Sequence, residues 1–311
     1  MDSAVLSSLK PDLHRSITEK IIKAVEAGAG EYRMPWHHDG GARSRPINAA
    51  SAKLYRGVNV VTLWCEAARR RYRSSYWATY RQWRDLGAQV QKGEKGALIV
   101  FYKKVEAPPA ADEKEEAKDH RKFVARASFV FNADQIDGCY LPPPPARNLV
   151  TALEGADSFI CAIKADIRHG CPMACYQPAG DYIEMPAREH FIGTPTSTPT
   201  ESYYSTLLHE LIHLSGAAHR LNRDLSTRFG DQAYAMEELV AELGAAFLCA
   251  ELGIANDPRP DHAAYLAHWL RVFDRDAKAL ITAASKAAVA ADYLTRLAST
   301  GEMREATDGS R

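Results

Sequence analysis

The sequence predicts an α+β protein of two domains, residues 1–140 and residues 146–311. Apolar residues at helical spacing alternate with short strand-like runs, a proline-rich stretch at residues 141–145 divides the chain, and the two parts differ in charge. A chain of 311 residues is long enough for two domains that each bury a core. Its hydrophobic content of 46% and charged content of 25% are typical of soluble globular proteins.

The charge is distributed unevenly along the chain, although the net charge is zero. Residues 1–145 contain 24 Lys and Arg against 17 Asp and Glu, which is a net charge of +7. Residues 146–311 contain 15 against 22, which is a net charge of −7. A basic part joined to an acidic part indicates two tasks, one of them at a polyanion.

Cysteine usage and the lengths of the apolar runs indicate the compartment. The six cysteines are scattered without a C-x-x-C pair, which favours isolated reduced thiols over disulfides. No apolar run follows the first lysine, and none approaches 18 residues, so we expect neither a signal peptide nor a membrane span. We therefore expect a cytoplasmic protein that has no membrane partner.

Two helices are predicted in the first part, at residues 12–28 and residues 53–74. The second of them has Val60, Leu63 and Trp64 on the side that we expect to be buried. Arginines crowd its end, where cations suit the negative end of the helix dipole. These arginines are Arg69, Arg70, Arg71 and Arg73.

A third helix is expected to begin near Ser75 and to end at Gly87. Its aromatic residues are Tyr76, Trp77, Tyr80 and Trp83.

Strands follow this helix. Residues 88–106 are expected to form a hairpin whose tight turn is flanked by Gly93 and Gly96. Residues 108–122 form a charged insert that we expect to be a mobile loop, and residues 123–131 resume as a strand.

Basic and aromatic residues are interleaved throughout this first part. Single-stranded nucleic acid is bound by that combination, because cations follow the phosphates and aromatic faces stack on unpaired bases. Two alternatives stay open. Aromatic residues at helical spacing, such as Trp64 and Trp83, also suit a core, and the arginine cluster also suits a solvated helix end.

The second part is predicted to begin with helical residues 148–170, interrupted at Gly155 and closed by Gly170. A hairpin follows at residues 174–185, with Ile183 and Met185 on its apolar face. Its second strand is an ordinary sheet strand, an edge with which a peptide substrate pairs, or both.

The sequence His209-Glu210-Leu211-Ile212-His213 has the pattern H-E-x-x-H. On a helix, residues four apart lie one above the other, so His209 and His213 can point two imidazoles at one ion. Glu210 can take the proton of a metal-bound water as general base. The pattern is short enough to arise by chance, and its surroundings therefore decide its meaning.

The surroundings supply a helix for this pattern. Thr198 is a suitable N-cap, Pro199 suits the first helical position, and Glu201 completes a capping box. Ser215 and Gly216 are expected to end the helix.

A third ligand is expected from a second helix at residues 233–252. Glu238 and Glu242 share one face there, and a core-facing carboxylate is costly unless it is paired or binds a metal. We assign Glu238 as the ligand and Glu242 as an acceptor that steadies a histidine N–H. The reverse assignment and two solvated surface charges are the alternatives. Two histidines and one glutamate leave a position open for water, as in catalytic Zn²⁺ sites, and another divalent ion such as Mn²⁺ is an alternative.

Other polar residues of the second part are candidates for the same site. His219, Arg220 and Tyr234 lie close to these helices in sequence, and each either stabilises an oxyanion or has a structural role. The remaining histidines that we considered are expected not to be ligands: His14, His37, His38, His262 and His268.

Short motifs stand in a characteristic order in both parts of the chain. The first part contains Pro46-Ile47-Asn48, Tyr55-Arg56-Gly57-Val58-Asn59 and Lys92-Gly93-Glu94-Lys95-Gly96. The second contains Tyr182-Ile183, Thr206-Leu207-Leu208-His209-Glu210 and Glu237-Glu238-Leu239-Val240-Ala241-Glu242. In this order, over nearly the whole length, the chain resembles the ArdC-type antirestriction proteins of conjugative plasmids.

The resemblance implies an N-terminal single-stranded DNA-binding domain and a C-terminal zincin-like metallopeptidase domain. It also implies a role in protecting incoming plasmid DNA from host restriction. It implies that His209, His213 and Glu238 bind the metal and that Glu210 is the general base. The candidates for DNA binding, the arginine cluster included, are Tyr55, Arg56, Arg69, Arg70, Arg71, Trp77, Lys92 and Lys95.

Two rival functions remain at this point. In one, the protein coats single-stranded DNA, and its metal site is structural or vestigial, so that nothing is cleaved. The other is a nuclease, which fits poorly. Nucleases usually hold Mg²⁺ in carboxylate-rich clusters, and the sequence shows none outside the H-E-x-x-H context. A protein substrate is implied only if the metal site is an active peptidase.

Overall fold

The computed structural model describes residues 15–26, 37, 45–106, 121–138, 148–223, 232–256, 269–273, 276 and 278–308. Several predictions lie outside these ranges. They concern the proline-rich stretch, the charged insert up to residue 120, and the histidines His14, His38, His262 and His268.

The described residues of the first part form helices around a four-stranded sheet. The helices are α1 (residues 15–26), α2 (Val58–Arg70) and α3 (Tyr80–Asp85). The strands are β1 (Ile47–Asn48), β2 (Tyr76–Thr79), β3 (Gln89–Val90), β4 (Ala97–Glu106), β5 (Arg121–Asn132) and β6 (Ile136–Asp137). The sheet has the order β1-β2-β5-β4, and β3 pairs with β6. Helices α1 and α2 confirm the first two predicted helices, and β5 confirms the predicted strand.

The predicted third helix is wrong at its beginning. Residues 76–79 form β2, in which Trp77 and Ala78 pair with Asn132 and Phe131 of β5. The helix starts only after Thr79, whose hydroxyl accepts a hydrogen bond from the backbone N–H of Gln82 at 3.2 Å. Pairing with a distant strand therefore overrides the helical spacing of the aromatic residues.

The predicted hairpin at residues 88–106 is also wrong. Strand β3 pairs with β6, not with β4, and the backbone N–H of Gln91 donates to the carbonyl of Gln135 at 2.9 Å. Strand β4 instead pairs with β5 along ten residues, from Ala97 opposite Val130 to Glu106 opposite Arg121. Gly93 does lie in a turn, but the presence of a turn does not determine which strands pair with each other.

The second part begins with α4 (Leu149–Ile163) and a three-stranded sheet. Its strands are β7 (Asp166–His169), β8 (Cys175–Gln177) and β9 (Tyr182–Met185). Helix α4 runs through Gly155, so the predicted interruption at this residue is wrong. The residues after α4 form β7, so the prediction of helical structure up to Gly170 is also wrong. A Cβ at Gly155 would have nothing within 4 Å, which shows an open helix surface at that position.

Strand β9 is the central strand of this sheet, whose order is β7-β9-β8. The antiparallel pair β8–β9 confirms the predicted hairpin, and Ile183 and Met185 are fully buried. Because both edges of β9 are paired, the option that a peptide pairs with this strand is wrong. The edges of the sheet belong to β7 and β8.

The remaining described helices are α5 (Pro199–Ser215), α6 (Gln232–Leu252), α7 (residues 269–273) and α8 (Ala279–Asp308). Helix α5 begins at the predicted N-cap, where Thr198 and Glu201 form the capping box, and it ends at Ser215 as predicted. Helix α6 confirms the helix predicted at residues 233–252.

A single cluster of buried apolar residues extends through both parts of the chain. Trp64 of α2 packs against Phe247 of α6, with ring centroids 5.8 Å apart. Gly57, which has φ +56°, lies against the backbone of Ala284 and Ser285 in α8, so a Cβ there would be in contact with both residues. The first part is therefore packed directly on α6, which carries Glu238 and Glu242, and on α8.

Candidate metal centre

Helices α5 and α6 bring the three predicted metal ligands together. One ligand atom each from His209, His213 and Glu238 lies within 4.8 Å of the others. The Nε2 atoms of the two histidines are 3.1 Å apart. The two carboxylate oxygens of Glu238 each lie 3.5 Å from one of these nitrogens, Oε2 from His209 and Oε1 from His213.

The donors of this cluster fit a divalent metal ion. Two imidazole nitrogens and a carboxylate are the ligand types of catalytic zinc sites, which leave a position for water. Burial raises the pKa of Glu238, but a hydrogen bond with His209 and the charges of both histidines outweigh burial and hold the pKa at about 2. The carboxylate is therefore ionised at neutral pH, as a metal ligand must be.

Glu210 lies beside the cluster and is 3% exposed. Its carboxylate accepts a hydrogen bond from the backbone N–H of Tyr176 in β8 at 2.9 Å. The Tyr176 hydroxyl in turn donates to Asp181 at 2.9 Å. Strand β8 thus holds the predicted general base in one orientation.

Asp181 also engages two of the three residues considered for oxyanion stabilisation. Arg220 donates to both carboxylate oxygens, at 2.6 Å and 2.8 Å, and His219 lies 3.2 Å from one of them. These contacts support a structural role for both residues. Tyr234 instead forms a side-chain hydrogen bond with Glu238, so it lies at the cluster itself.

Each histidine of the cluster has a further carboxylate on its Nδ1 side. Glu242 places an oxygen 3.8 Å from Nδ1 of His209, and Glu237 places one 3.4 Å from Nδ1 of His213. Arg223 donates to Glu237 at 2.8 Å and to the carbonyl of Ile212 at 2.6 Å. Carboxylates in such positions orient histidine ligands and select the tautomer that binds the metal.

Glu242 is predicted from the sequence in this role, whereas the positions of Glu237, Arg223 and His37 are not. Glu237 had a usable signal, because it directly precedes Glu238 on a helix that faces two histidines. His37 lies outside the ligand cluster, but it is fully buried and contacts Glu242. No spacing rule connects residues so far apart in the chain.

The predicted DNA-binding residues lie in different environments. Tyr55 and Trp77 are 6% and 1% exposed, so neither ring offers a face to a base. Arg56 forms an ion pair with Asp292 of α8. Arg69 and Arg70 both pair with Glu66, and Arg70 also contacts Glu94 at 3.2 Å. Arg56 and Arg69 are exposed in spite of these ion pairs, and Arg71, Lys92 and Lys95 are exposed as well.

Two histidines on one helix and a glutamate from the next are the arrangement of a zincin-like metallopeptidase domain. Residues 154–286 match the family model described as a zincin-like metallopeptidase. Residues 11–131 match the model of the N-terminal domain of the anti-restriction factor ArdC. The chain belongs to the ArdC family of antirestriction proteins.

Solved structures of one relative cover almost the whole chain. The metal-free crystal structure of the antirestriction ArdC protein from plasmid R388 is 38% identical, has a TM-score of 0.74, and covers 93% of this chain and 98% of its own. The Mn(II)-bound structure of that protein is 40% identical, with a TM-score of 0.70 and coverage of 92% and 97%. The zincin-like domain of the present chain implies a divalent metal.

Two relatives differ greatly in length. The uncharacterized protein y4eC of Sinorhizobium fredii is 46% identical over 286 residues, which are 91% of each chain. The DNA primase TraC of Escherichia coli is 34% identical over 307 residues, and this chain spans 27% of that protein. None of the helices in the described ranges is long and apolar enough to cross a membrane.

Proposed function

We propose that this protein is an antirestriction factor that binds single-stranded DNA and carries a metal-dependent peptidase site. It would protect incoming plasmid DNA from host restriction in the cytoplasm. The observation that carries the proposal is the convergence of His209, His213 and Glu238 within 4.8 Å, with Glu210 held beside them. Membership in the ArdC family supports the biological role.

The chain's own residues suit peptide hydrolysis. His209, His213 and Glu238 would hold a divalent ion, either Zn²⁺ or the Mn²⁺ that a relative binds. When bound, such an ion supplies Lewis acidity toward water and a peptide carbonyl. Glu210 would accept the proton of the attacking water and return it to the leaving amine. The N–H of Tyr176 keeps one oxygen of Glu210 fixed during this exchange.

Single-stranded DNA is the partner that best suits the first part of the chain. Its net charge is +7, and Arg71, Lys92 and Lys95 are exposed cations that can follow phosphates. The acidic second part, with a net charge of −7, would repel the same polyanion. We therefore place DNA on the first part and a protein substrate at the metal cluster.

A Glu210→Gln variant separates the peptidase from the DNA-binding function. We expect it to keep metal and single-strand affinity but to lose cleavage of a quenched-peptide mixture by at least about 100-fold, the usual scale for general-base catalysis. Glu189→Gln, at an exposed position of the second part, is the matched control. Both variants would also be compared with wild type in a restriction-protection assay.

The outcomes distinguish the two candidate functions. Loss of both cleavage and protection would support a role for proteolysis in antirestriction. Protection that survives without cleavage would favour the alternative, a DNA-coating protein with a structural or vestigial metal site. Cleavage that survives in Glu210→Gln would contradict the proposed mechanism.

A further inference from the structure

Exposed aromatic side chains meet on the first part of the chain, and we call Tyr80, Phe129 and Phe131 the aromatic ridge. Tyr80 is 48% exposed and Phe129 is 57% exposed, although both are large and largely apolar. The rings of Tyr80 and Phe131 are in edge contact, with centroids 6.4 Å apart and an angle of 72°. Phe129 and Phe131 are two apart on β5 and therefore share one face of the sheet.

Gly96 packs closely against both phenylalanines of the ridge. A Cβ at Gly96 would lie 3.0 Å from Cβ of Phe129 and 3.2 Å from Cζ of Phe131. A side chain at position 96 would require Phe129, the carbonyl of Val130 or the ring of Phe131 to shift by a few tenths of an ångström. Gly96 thus leaves room for Phe129 and Phe131 in their present positions.

Tyr80 is held in place before any ligand arrives. Its hydroxyl accepts a hydrogen bond from the side-chain amide of Gln89 at 3.1 Å. A groove of about 470 Å³ lies beside it, lined by Phe131, Lys92 and the segment from Gln89 to Glu94. The groove is within the size range of small-ligand sites, and its lining combines an aromatic face with amide groups that can reach a base edge.

The charges around the ridge favour an anionic strand. Lys92 and Lys95 are exposed next to the groove, and Arg81 and Arg84 are exposed on α3. The acidic residues of the groove are already engaged. Glu94 accepts hydrogen bonds from Arg70 at 3.2 Å and from Gln135 at 2.6 Å, and Asp137 accepts one from Gln91 at 2.9 Å.

We propose that the aromatic ridge stacks unpaired bases of single-stranded DNA and that Lys92 and Lys95 contact the phosphates. This inference rests on the proposed single-strand binding and supplies the stacking surface that the buried Tyr55 and Trp77 cannot supply. Proteins that bind single strands combine these two elements, and each stacked base contributes roughly 1–3 kcal/mol, which corresponds to about 5–150-fold in affinity.

The test measures binding of a fluorescent oligo(dT) to the full chain at several salt concentrations. Tyr80→Ser and Phe129→Ser should each weaken binding at least about fivefold without changing the salt dependence. Tyr80→Phe keeps the ring and loses only the hydrogen bond from Gln89, so it should retain most of the wild-type affinity. Lys92→Ala should reduce the magnitude of the slope of log K against log salt by about 0.7, the value for one phosphate contact on a single strand. Val150→Ser, which removes a 65% exposed apolar residue elsewhere, is the matched control.

Each result has a defined meaning. If wild type binds oligo(dT) and both serine variants bind equally well, the ridge assignment is wrong while the proposed function stands. If wild type does not bind single strands at all, the proposed DNA function fails and the ridge fails with it. Circular dichroism and melting temperatures show whether a variant has lost its fold, and Tyr80→Leu offers a second variant that keeps bulk but not the aromatic face.

A second observation concerns His37 and is independent of the ridge. Its side chain is fully buried, and its Nε2 lies 2.7 Å from one oxygen of Glu242. The other oxygen of Glu242 faces Nδ1 of His209 at 3.8 Å. His37, from the first part of the chain, thus contacts Glu242, whose other oxygen lies on the Nδ1 side of the predicted metal ligand His209.

From this geometry we infer that His37 is a positioning residue for the metal cluster and acts through Glu242. A carboxylate bound at one oxygen has less freedom to rotate, so its second oxygen stays directed at His209. At 3.8 Å the negative charge of Glu242 favours the tautomer of His209 that carries its proton on Nδ1 and leaves Nε2 to bind a metal. Arg45 and Arg56 also cross between the two parts, through ion pairs with Glu251 and Asp292.

Metal affinity tests this role without any peptidase assay. Competition with a chromogenic chelator would measure Zn²⁺ binding by the full chain. His37→Ala should weaken binding about 10–100-fold, the usual effect of removing a residue that supports a ligand. His37→Gln, which can place an amide near the former Nε2, should recover part of the loss, and His190→Ala, at an exposed position, should show none.

The inference fails if His37→Ala binds Zn²⁺ as tightly as wild type. If that variant does not fold in the metal-free state, Glu242→Gln and His37→Gln carry the test, because both keep the volume of the side chain. Equal affinity in these two variants and wild type would also overturn the assignment. Loss of Zn²⁺ binding in wild type itself would instead contradict the metal site of the proposed function.

Discussion

The metal cluster and the aromatic ridge are built in opposite ways. Three of the residues at the cluster, His209, Glu210 and His213, lie on one turn and a half of α5, and Glu238 comes from the helix packed against it. The ridge combines Tyr80 of α3 with Phe129 and Phe131 of β5, which meet only because the sheet brings them together. Metal chemistry imposes a spacing on the sequence, whereas a stacking surface requires only exposure.

The two regions also differ in how strongly they depend on packing. The cluster lies between α5 and α6, among some of the most deeply buried residues of the protein. The ridge lies at the surface, with its largest rings half exposed. We therefore expect small packing changes to damage the cluster and to leave the ridge almost unaffected.

Removal of a metal ligand should have the largest effect. His213→Ala removes one of three donors, so Zn²⁺ affinity should fall by more than the roughly 10–100-fold typical of a supporting residue. Cleavage should fall to background, while oligo(dT) affinity stays that of wild type. Chelator competition measures the Zn²⁺ affinity, and fluorescence binding measures the oligo(dT) affinity. A parallel loss of DNA binding would show that the two regions are not separable.

A methyl group between α5 and α6 should have an intermediate effect. A Cβ at Gly244 would lie 2.7 Å from Cδ1 of Ile212, which is fully buried on the helix of the cluster. Gly244→Ala should therefore lower the free energy of unfolding by about 1–3 kcal/mol through overpacking. Gly155→Ala, on an open surface of α4, should raise it by about 0.5–1 kcal/mol.

Urea denaturation of both glycine variants measures these changes, and Zn²⁺ affinity shows whether the cluster is displaced. We expect weaker Zn²⁺ binding for Gly244→Ala and unchanged binding for Gly155→Ala. Oligo(dT) binding should be the same for both. If Gly244→Ala were as stable as wild type, the contact between the two helices would be less tight than the structure shows.

The smallest expected effect is a change in the free energy of unfolding with pH, caused by Asp181. This residue accepts a hydrogen bond from the hydroxyl of Tyr176, whose backbone N–H donates to Glu210. The hydrogen bond from Arg220 is the main reason why the pKa of Asp181 lies below its ordinary value of 3.8. A lowered folded-state pKa means that the ionised form stabilises the fold above pH 3.8, and that this stabilisation is lost as the pH falls through the lowered pKa.

Asp181→Asn should therefore be less stable than wild type at neutral pH, and the difference should shrink as the solution becomes acidic. The effect should be small, because Asp181 is partly exposed and solvent screens the pair. Urea midpoints at neutral and acid pH provide the measurement. A stability difference that did not change with pH would show that Arg220 interacts with Asp181 without a net electrostatic benefit.

Two capping boxes show how far local sequence predicts this fold. Thr198 and Glu201 predict the start of α5, and the helix begins there. Thr79 and Gln82 form the same device, but the aromatic spacing around them suggested that the helix had already begun. In β2, pairing with β1 and β5 overrides that spacing. A capping box marks the start of the helix in both cases, but only the one at Thr198 is predicted from the sequence. The helical spacing of the aromatic residues gives a wrong prediction where a strand has distant partners.

Much of the metal cluster follows from the sequence because the rules that build it are local. Helical geometry places His209 and His213 on one face, and the cost of burying a carboxylate directs Glu238 toward a partner. Exposure and contact between distant elements follow from tertiary packing alone. Packing buries Tyr55 and Trp77, leaves Tyr80 and Phe129 at the surface, and brings His37 to Glu242. The physical reason is that burial depends on which elements pack against each other, and such pairings leave no fixed spacing in the chain.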